Sequence, residues 1–275
     1  MDWMEWIKAL ILGVVEGITE WLPVSSTGHM ILVDEYLQLN VSEEFKEMFL
    51  VVIQLGAILA VVLLYFWKLF PFSSKEGKVY VKQETISMWL KIVVSCIPAG
   101  IVGVFFDDQI DALFYNWRTV AVMLIVFGVL FLVIEKRNKN KTPVIDSLEA
   151  LTYQAAVWIG LFQLIAAVFP GTSRSGATIL GALLIGVSRT VAAEYTFFLA
   201  VPVMFGASAL KLLKFGVHYT AEETAILAVG LISAFLVSVL AIKFLMGYIK
   251  KHDFTAFGVY RILLGALVIF DFARR

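Results

Sequence analysis

Charge is scarce in this chain. Lys, Arg, Asp and Glu make up 16% of its 275 residues, against roughly 25% in soluble globular proteins. Hydrophobic residues reach 60% and the mean hydropathy is +0.88. That balance excludes an ordinary soluble domain and describes a polytopic membrane protein. Neither sign of charge prevails, since 22 basic residues face 22 acidic ones, so there is no case for a nucleic-acid partner. Cysteine is nearly absent too: Cys96 stands alone in an apolar run, which excludes an internal disulfide and reads as a small buried hydrophobe. The N-terminus lacks the basic residues of a signal peptide. It carries Asp2 and Glu5 instead, with no small-residue cleavage site after them, and is expected to be mature sequence.

Long apolar runs are what the chain has in abundance. Six have the length of membrane-crossing helices: Phe49 to Trp67, Met88 to Phe106, Trp117 to Ile134, Ala192 to Leu212, Thr224 to Met246 and Phe257 to Phe272. Two further segments are apolar but interrupted. Trp3 to Leu22 is stopped by Pro23 and a polar SSTGH, and the piece after it, Met30 to Leu39, carries Asp34 and Glu35. At about 1.5 Å per residue that piece is too short to cross a hydrocarbon core of roughly 30 Å. The expected form is a re-entrant hairpin with a polar tip; an ordinary span followed by a surface loop is the alternative. Leu148 to Phe169, Pro170, the loop GTSRSG and Ala177 to Val187 repeat the pattern.

The repetition extends to residues. Glu16 pairs with Gln163 and Pro23 with Pro170 at an offset of 147, and after a one-residue insertion SSTGHMIL from Ser25 lies on SRSGATIL from Ser173 at 148. The fold class expected is an all-α polytopic membrane protein, six transmembrane helices plus two re-entrant helical hairpins in an inverted-topology repeat. Residues 1–147 form the first repeat, with its hairpin at 3–39, and residues 148–275 the second, with its hairpin at 148–187, the whole being one integral membrane domain. Three spans separate the hairpins, so they enter from opposite faces. Loop charge sets the orientation. Lys75, Lys78, Lys82, Lys136, Arg137, Lys139, Lys141, Arg189, Lys250 and Lys251 gather on one side, and Asp34, Glu35, Glu43, Glu44, Glu47, Asp107, Asp108, Asp111, Glu222 and Glu223 on the other. Under the positive-inside rule both termini and the mouth of the first hairpin face outward.

Chemistry concentrates in EGITEWLPVSSTGH, residues 16 to 29. Glu16 and Glu20 are four apart and share a helix face. Two carboxylates in a low dielectric repel unless a proton or cation lies between them, which suits a shared proton or a divalent metal such as Mg²⁺ completed by substrate phosphate; glutamates snorkelling to water are the bland alternative. Ser26 and His29 compete as the nucleophile, with metal-bound water as a third candidate. Ser26 is favoured because it stands at the loop tip, three residues from an imidazole that can relay its proton, although His29 serves equally as a helix-capping donor. Ser25 and Thr27 bring further hydroxyls to the same loop. In PGTSRSGAT, Arg174 is a two-pronged phosphate donor beside free N–H groups at a helix start, or else a structural ion-pair partner of Glu16 or Glu20. The halves divide the work: metal or base and nucleophile in the first, anion binding in the second.

These two stretches resemble the signature motifs of the undecaprenyl pyrophosphate phosphatases, the bacitracin-resistance protein family, and the likeness runs over essentially the whole chain. The resemblance implies hydrolysis of undecaprenyl pyrophosphate, a polyprenyl pyrophosphate lipid, to the monophosphate carrier and inorganic phosphate. The setting implied is the bacterial plasma membrane, with a divalent cation, Mg²⁺ or Ca²⁺, and the outcome is carrier recycling for cell-wall synthesis and bacitracin resistance. Carried over by motif, the catalytic positions are Glu16, Glu20, Ser26, His29 and Arg174, with Ser173 and Thr178 near the phosphates. The reading of the residues themselves adds Ser25 and Thr27 on the substrate side and places Glu16 with Glu20 at the metal. A homodimer is compatible with the sequence. The rival reading is an inverted-repeat transporter or flippase of an anionic lipid.

Overall fold

The computed structural model describes residues 3–75, 78–215 and 219–274; Asp2 and the side chains of Lys75 and Asp107 fall outside that description. Helices dominate, and among the described residues six are long and apolar enough to cross a membrane. They are α3 (Glu43–Leu64), α5 (Gln83–Phe105), α7 (Trp117–Asn138), α10 (Arg189–Phe215), α11 (Ala221–Ile249) and α12 (Thr255–Ala273). Each overlaps one expected span, and α3 and α5 begin five or six residues earlier. The chain is thus a multi-pass membrane protein. The interrupted segments form two pairs, α1 (Trp3–Thr19) with α2 (Ser26–Tyr36) and α8 (Tyr153–Val168) with α9 (Arg174–Leu184).

Four elements go beyond the sequence reading. A short α4 (Phe66–Leu69) leads into a hairpin of β1 (Phe72–Lys75) and β2 (Lys78–Val81), antiparallel in the register Phe72 to Val81. The acidic linker forms α6 (Asp107–Phe114). Large apolar side chains on α5, among them Leu90, Val93, Ile97, Ile101 and Phe105, face outward; on a soluble protein such a patch would demand a partner, whereas here it suits lipid.

Contacts at helix ends sort the molecule into two faces. At the first, Phe45 of α3 meets Phe215 of α10, Trp117 of α7 meets Phe272 of α12, and Lys46 pairs with Asp34. At the second, Lys68 pairs with Glu194, Phe131 of α7 meets Phe254, and Arg189 pairs with Glu135. The broken pairs pack against different long helices. α1 runs alongside α11, with Gly13 against Gly230 and Gly17 against Ala234, and α2 returns to the first face, where Tyr36 donates to Asp271 at 2.7 Å. α8 runs alongside α5, with Gly160 against Ser95, and α9 ends where Asn138 donates to the Leu183 carbonyl at 2.9 Å.

The two breaks share one local geometry. Proline removes a helical donor and disfavours helix in the residue before it, so Pro23 and Pro170 end their helices. Among the described residues, Ser25 (φ 74°) and Ser173 (φ 70°) are the non-glycine residues with positive φ. Each then caps the following helix, accepting from the N–H of Gly28 at 3.2 Å and of Gly176 at 3.1 Å. Both pairs stand 148 apart. The surroundings differ: Ser175 to Leu183 of α9 are all buried, whereas α2 buries only Gly28 and Met30.

Candidate active site

The two loops meet in the middle of the molecule. Ser175 Oγ donates to the Glu20 carbonyl at 3.1 Å, joining the start of α9 to the end of α1. The Glu20 N–H donates to the Glu16 carbonyl at 3.0 Å, so the helix runs one residue past Thr19 and the two carboxylates stand one turn apart. Both are buried.

Glu20 is the hub. Its Oε1 accepts from Arg174 Nη2 at 2.7 Å and its Oε2 accepts from Ser26 Oγ at 2.9 Å. Arg174 reaches it from the first position of α9. The guanidinium lies 5.9 Å from the centre of the Trp21 ring and donates through Nη1 to the Thr196 carbonyl at 3.0 Å. Thr178 sits one turn on, fully buried, and ties its hydroxyl to the Arg174 carbonyl at 2.9 Å and to Thr196 Oγ1 at 2.8 Å. Ser26, Glu20 and Arg174 are therefore brought together, and the ion pair that the sequence left as an alternative for Arg174 exists, with Glu20.

His29 is held elsewhere. Its Nδ1 donates to the Ser25 carbonyl at 2.7 Å, which in a neutral ring leaves Nε2 to accept from the Tyr260 hydroxyl, also at 2.7 Å. Ser26 thus hydrogen-bonds a carboxylate, not the imidazole. Ser25 and Ser173 spend their hydroxyls on the caps described above, and Thr27 lies half-buried on the first turn of α2.

Buried polar atoms without a protein partner cost about 1–3 kcal/mol each unless water or a ligand satisfies them. Seven such atoms occur among the described residues; six belong to the two broken-helix segments, and of these Glu16 Oε1, Trp21 Nε1, Gln163 Oε1, Thr172 Oγ1 and Arg174 Nε lie within about two turns of a break. A free acceptor on Glu16 and a free donor on Arg174 flank the Glu20 hub. Among the described residues no three His, Cys, Asp or Glu side chains cluster to hold a metal. Glu16 and Glu20 would be the protein's whole share of such a site, and the vacant Oε1 of Glu16 fits a cation that takes its other ligands from water and phosphate.

The family described as Bacitracin resistance protein BacA matches residues 9–267. The chain belongs to that family. Among its BacA-family relatives, the undecaprenyl-diphosphatase 1 of Clostridium acetobutylicum is 68% identical over 272 residues, 99% of either chain. The undecaprenyl-diphosphatase of Desulfitobacterium hafniense is 67% identical over 275 residues, covering 100% of this chain and 99% of its own, and that of Acetivibrio thermocellus 61% over 269 residues, 98% of both.

For this BacA-family chain, the structure brings together the Glu20, Ser26 and Arg174 singled out in the sequence, and adds supports that the sequence reading missed. Thr196 and Trp21 carry no signal that separates them from core residues. Arg261 does: it is a cation inside the expected span Phe257 to Phe272, and a charge at that depth is a reason to look for a function.

Proposed function

We propose that the chain hydrolyses undecaprenyl pyrophosphate to undecaprenyl phosphate and inorganic phosphate, and so recycles the lipid carrier and confers bacitracin resistance. The observation that carries this reading is the continuous Ser26–Glu20–Arg174 hydrogen-bond chain at the junction of the two loops. Ser26 is the nucleophile. Its proton passes to Glu20 Oε2 as Oγ forms a bond to the terminal phosphorus and the bridging P–O bond breaks, releasing the lipid monophosphate. Glu20 hands that proton to the departing lipid phosphate and is a carboxylate again. Water then attacks the phosphoserine, Glu20 takes the water's proton and passes it to Ser26 Oγ as the P–Oγ bond breaks, and phosphate leaves. Arg174 offers Nε to a phosphate oxygen and holds Glu20 in place. Glu16 and Glu20 would hold Mg²⁺ or Ca²⁺, which offsets phosphate charge when bound.

The two broken pairs are re-entrant hairpins of an inverted-topology repeat, residues 1–147 and 148–275, in the bacterial plasma membrane. Supporting this, exchange of the halves carries the α1–α11 packing onto α8–α5, α1–α2 onto α8–α9 and α3–α11 onto α10–α5. Both termini and the mouth beside the half-exposed α2 face outward, so a pyrophosphate enters from the outer face while its polyprenyl tail stays in lipid. A homodimer would carry two such sites, each complete in one chain.

Purified protein in detergent, given polyprenyl pyrophosphate and Mg²⁺, is expected to release phosphate. Ser26→Ala should reduce the rate at least about 10³-fold, some 4 kcal/mol of barrier, and His29→Ala by less than about 10²-fold. Lipid movement across liposomes without phosphate release would instead support a transporter.

A further inference from the structure

Arg261, on α12, is fully buried and forms no ion pair among the described residues. A buried cation without a counter-ion is costly unless strong acceptors surround it. Here they are backbone carbonyls. Nη1 donates to Pro23 at 3.1 Å, and Nη2 to Gly171 at 2.9 Å and Thr172 at 2.7 Å. These carbonyls belong to the two helix breaks, the first to the loop that follows Glu20 and the others to the loop that precedes Arg174, where helical partners are missing. The same guanidinium presses on the first turn of α9, since a Cβ on Gly176 would stand 2.9 Å from Nη1. The preceding residue, Tyr260, holds His29. Two consecutive residues of α12 therefore grip both halves of the site without touching Ser26, Glu20 or Arg174.

We infer that Arg261 is a positioning residue: its single planar fork fixes the two loops against one another and thereby sets the distance between the Ser26–Glu20 pair and the Arg174 guanidinium. The inference rests on the hydrolytic reading above. Lysine would keep the charge but cannot present two rigid prongs to opposite loops. A misplacement of about 1 Å costs roughly 10²-fold in rate, so the effect belongs in kcat rather than in substrate binding.

Phosphate release by detergent-purified wild type, Arg261→Lys and Gly176→Ala, each at matched folded fraction, tests this. Arg261→Lys should lower kcat at least about 30-fold with KM within about threefold of wild type. Gly176→Ala, whose Cβ crowds the guanidinium at 2.9 Å and, less tightly, Ser173 at 3.2 Å while leaving the charge of Arg261, should show the same split. A folded Arg261→Lys with kcat within about threefold of wild type, or with KM rising in step with the fall in kcat, overturns the inference. Should Arg261→Lys not fold, Gly176→Ala decides alone by the same two criteria. A wild type that releases no phosphate refutes the hydrolytic reading itself, whereas an active wild type beside normal variants refutes only the role of Arg261.

Discussion

Glu20 has both oxygens engaged while Glu16 keeps one buried and free, so the two carboxylates are not interchangeable. Glu16→Gln keeps shape and one acceptor but removes charge from the vacant position. Its expected signature is a Mg²⁺ concentration for half-activity raised at least about tenfold with modest loss at saturating metal; loss of rate with an unchanged metal titration would make Glu16 a proton carrier instead. Arg174→Lys retains charge and loses the fork that reaches Thr196 and Glu20 at once. Lysine keeps a charge near Glu20 but cannot offer the planar two-pronged contact, so phosphate release should fall about 10²-fold or more while the protein still purifies folded. The candidate site residues stood out because a charge set inside apolar sequence is costly and is seldom kept without a role. Ser26 facing Glu20 rather than His29 was not legible, because the three-residue spacing to His29 says nothing of the loop that turns each side chain.

At the scale of elements, the repeat foretold more than its identities suggest. Ser25 and Ser173 share a strained backbone as well as a letter, and such conformations cost about 1–3 kcal/mol and persist where surroundings hold them. Helix ends were legible from Pro23 and Pro170. The β1–β2 hairpin and α6 were not, since short exposed segments lack a buried face to impose a period. Packing between spans was equally hidden, because close helix approach depends on which small residue meets which backbone. Gly56 shows this: a Cβ there would lie 2.3 Å from the Leu231 carbonyl on α11. Gly56→Ala is expected to destabilise by about 1–3 kcal/mol through overpacking, read as a lower melting temperature in detergent. Gly100→Ala, where nothing lies within 4 Å of a new Cβ, should not lower it.

Across the whole molecule, charge and contact agree on two faces. Glu43 and Glu44 open α3 and Glu222 and Glu223 open α11 at one face, while Lys136 and Arg137 close α7 and Lys250 follows α11 at the other. Basic loops are retained in the cytoplasm, which predicts the direction of the molecule, and a single exposed thiol can read it. In a Cys96→Ala background, Glu43→Cys should react with a membrane-impermeant maleimide on intact cells, and Lys251→Cys only after permeabilisation; the reverse pattern would turn the protein over and put the site on the cytoplasmic side. Thr27→Cys asks the deeper question. It lies half-buried at the start of α2, beside the junction of the two loops. If the first hairpin is re-entrant, a small charged methanethiosulfonate should reach this thiol from outside, more slowly than Glu43→Cys, and a bound pyrophosphate lipid analogue should slow it further. Labelling of Thr27→Cys from the inside alone would mean that α1 crosses the membrane, and the outward mouth would be lost with it.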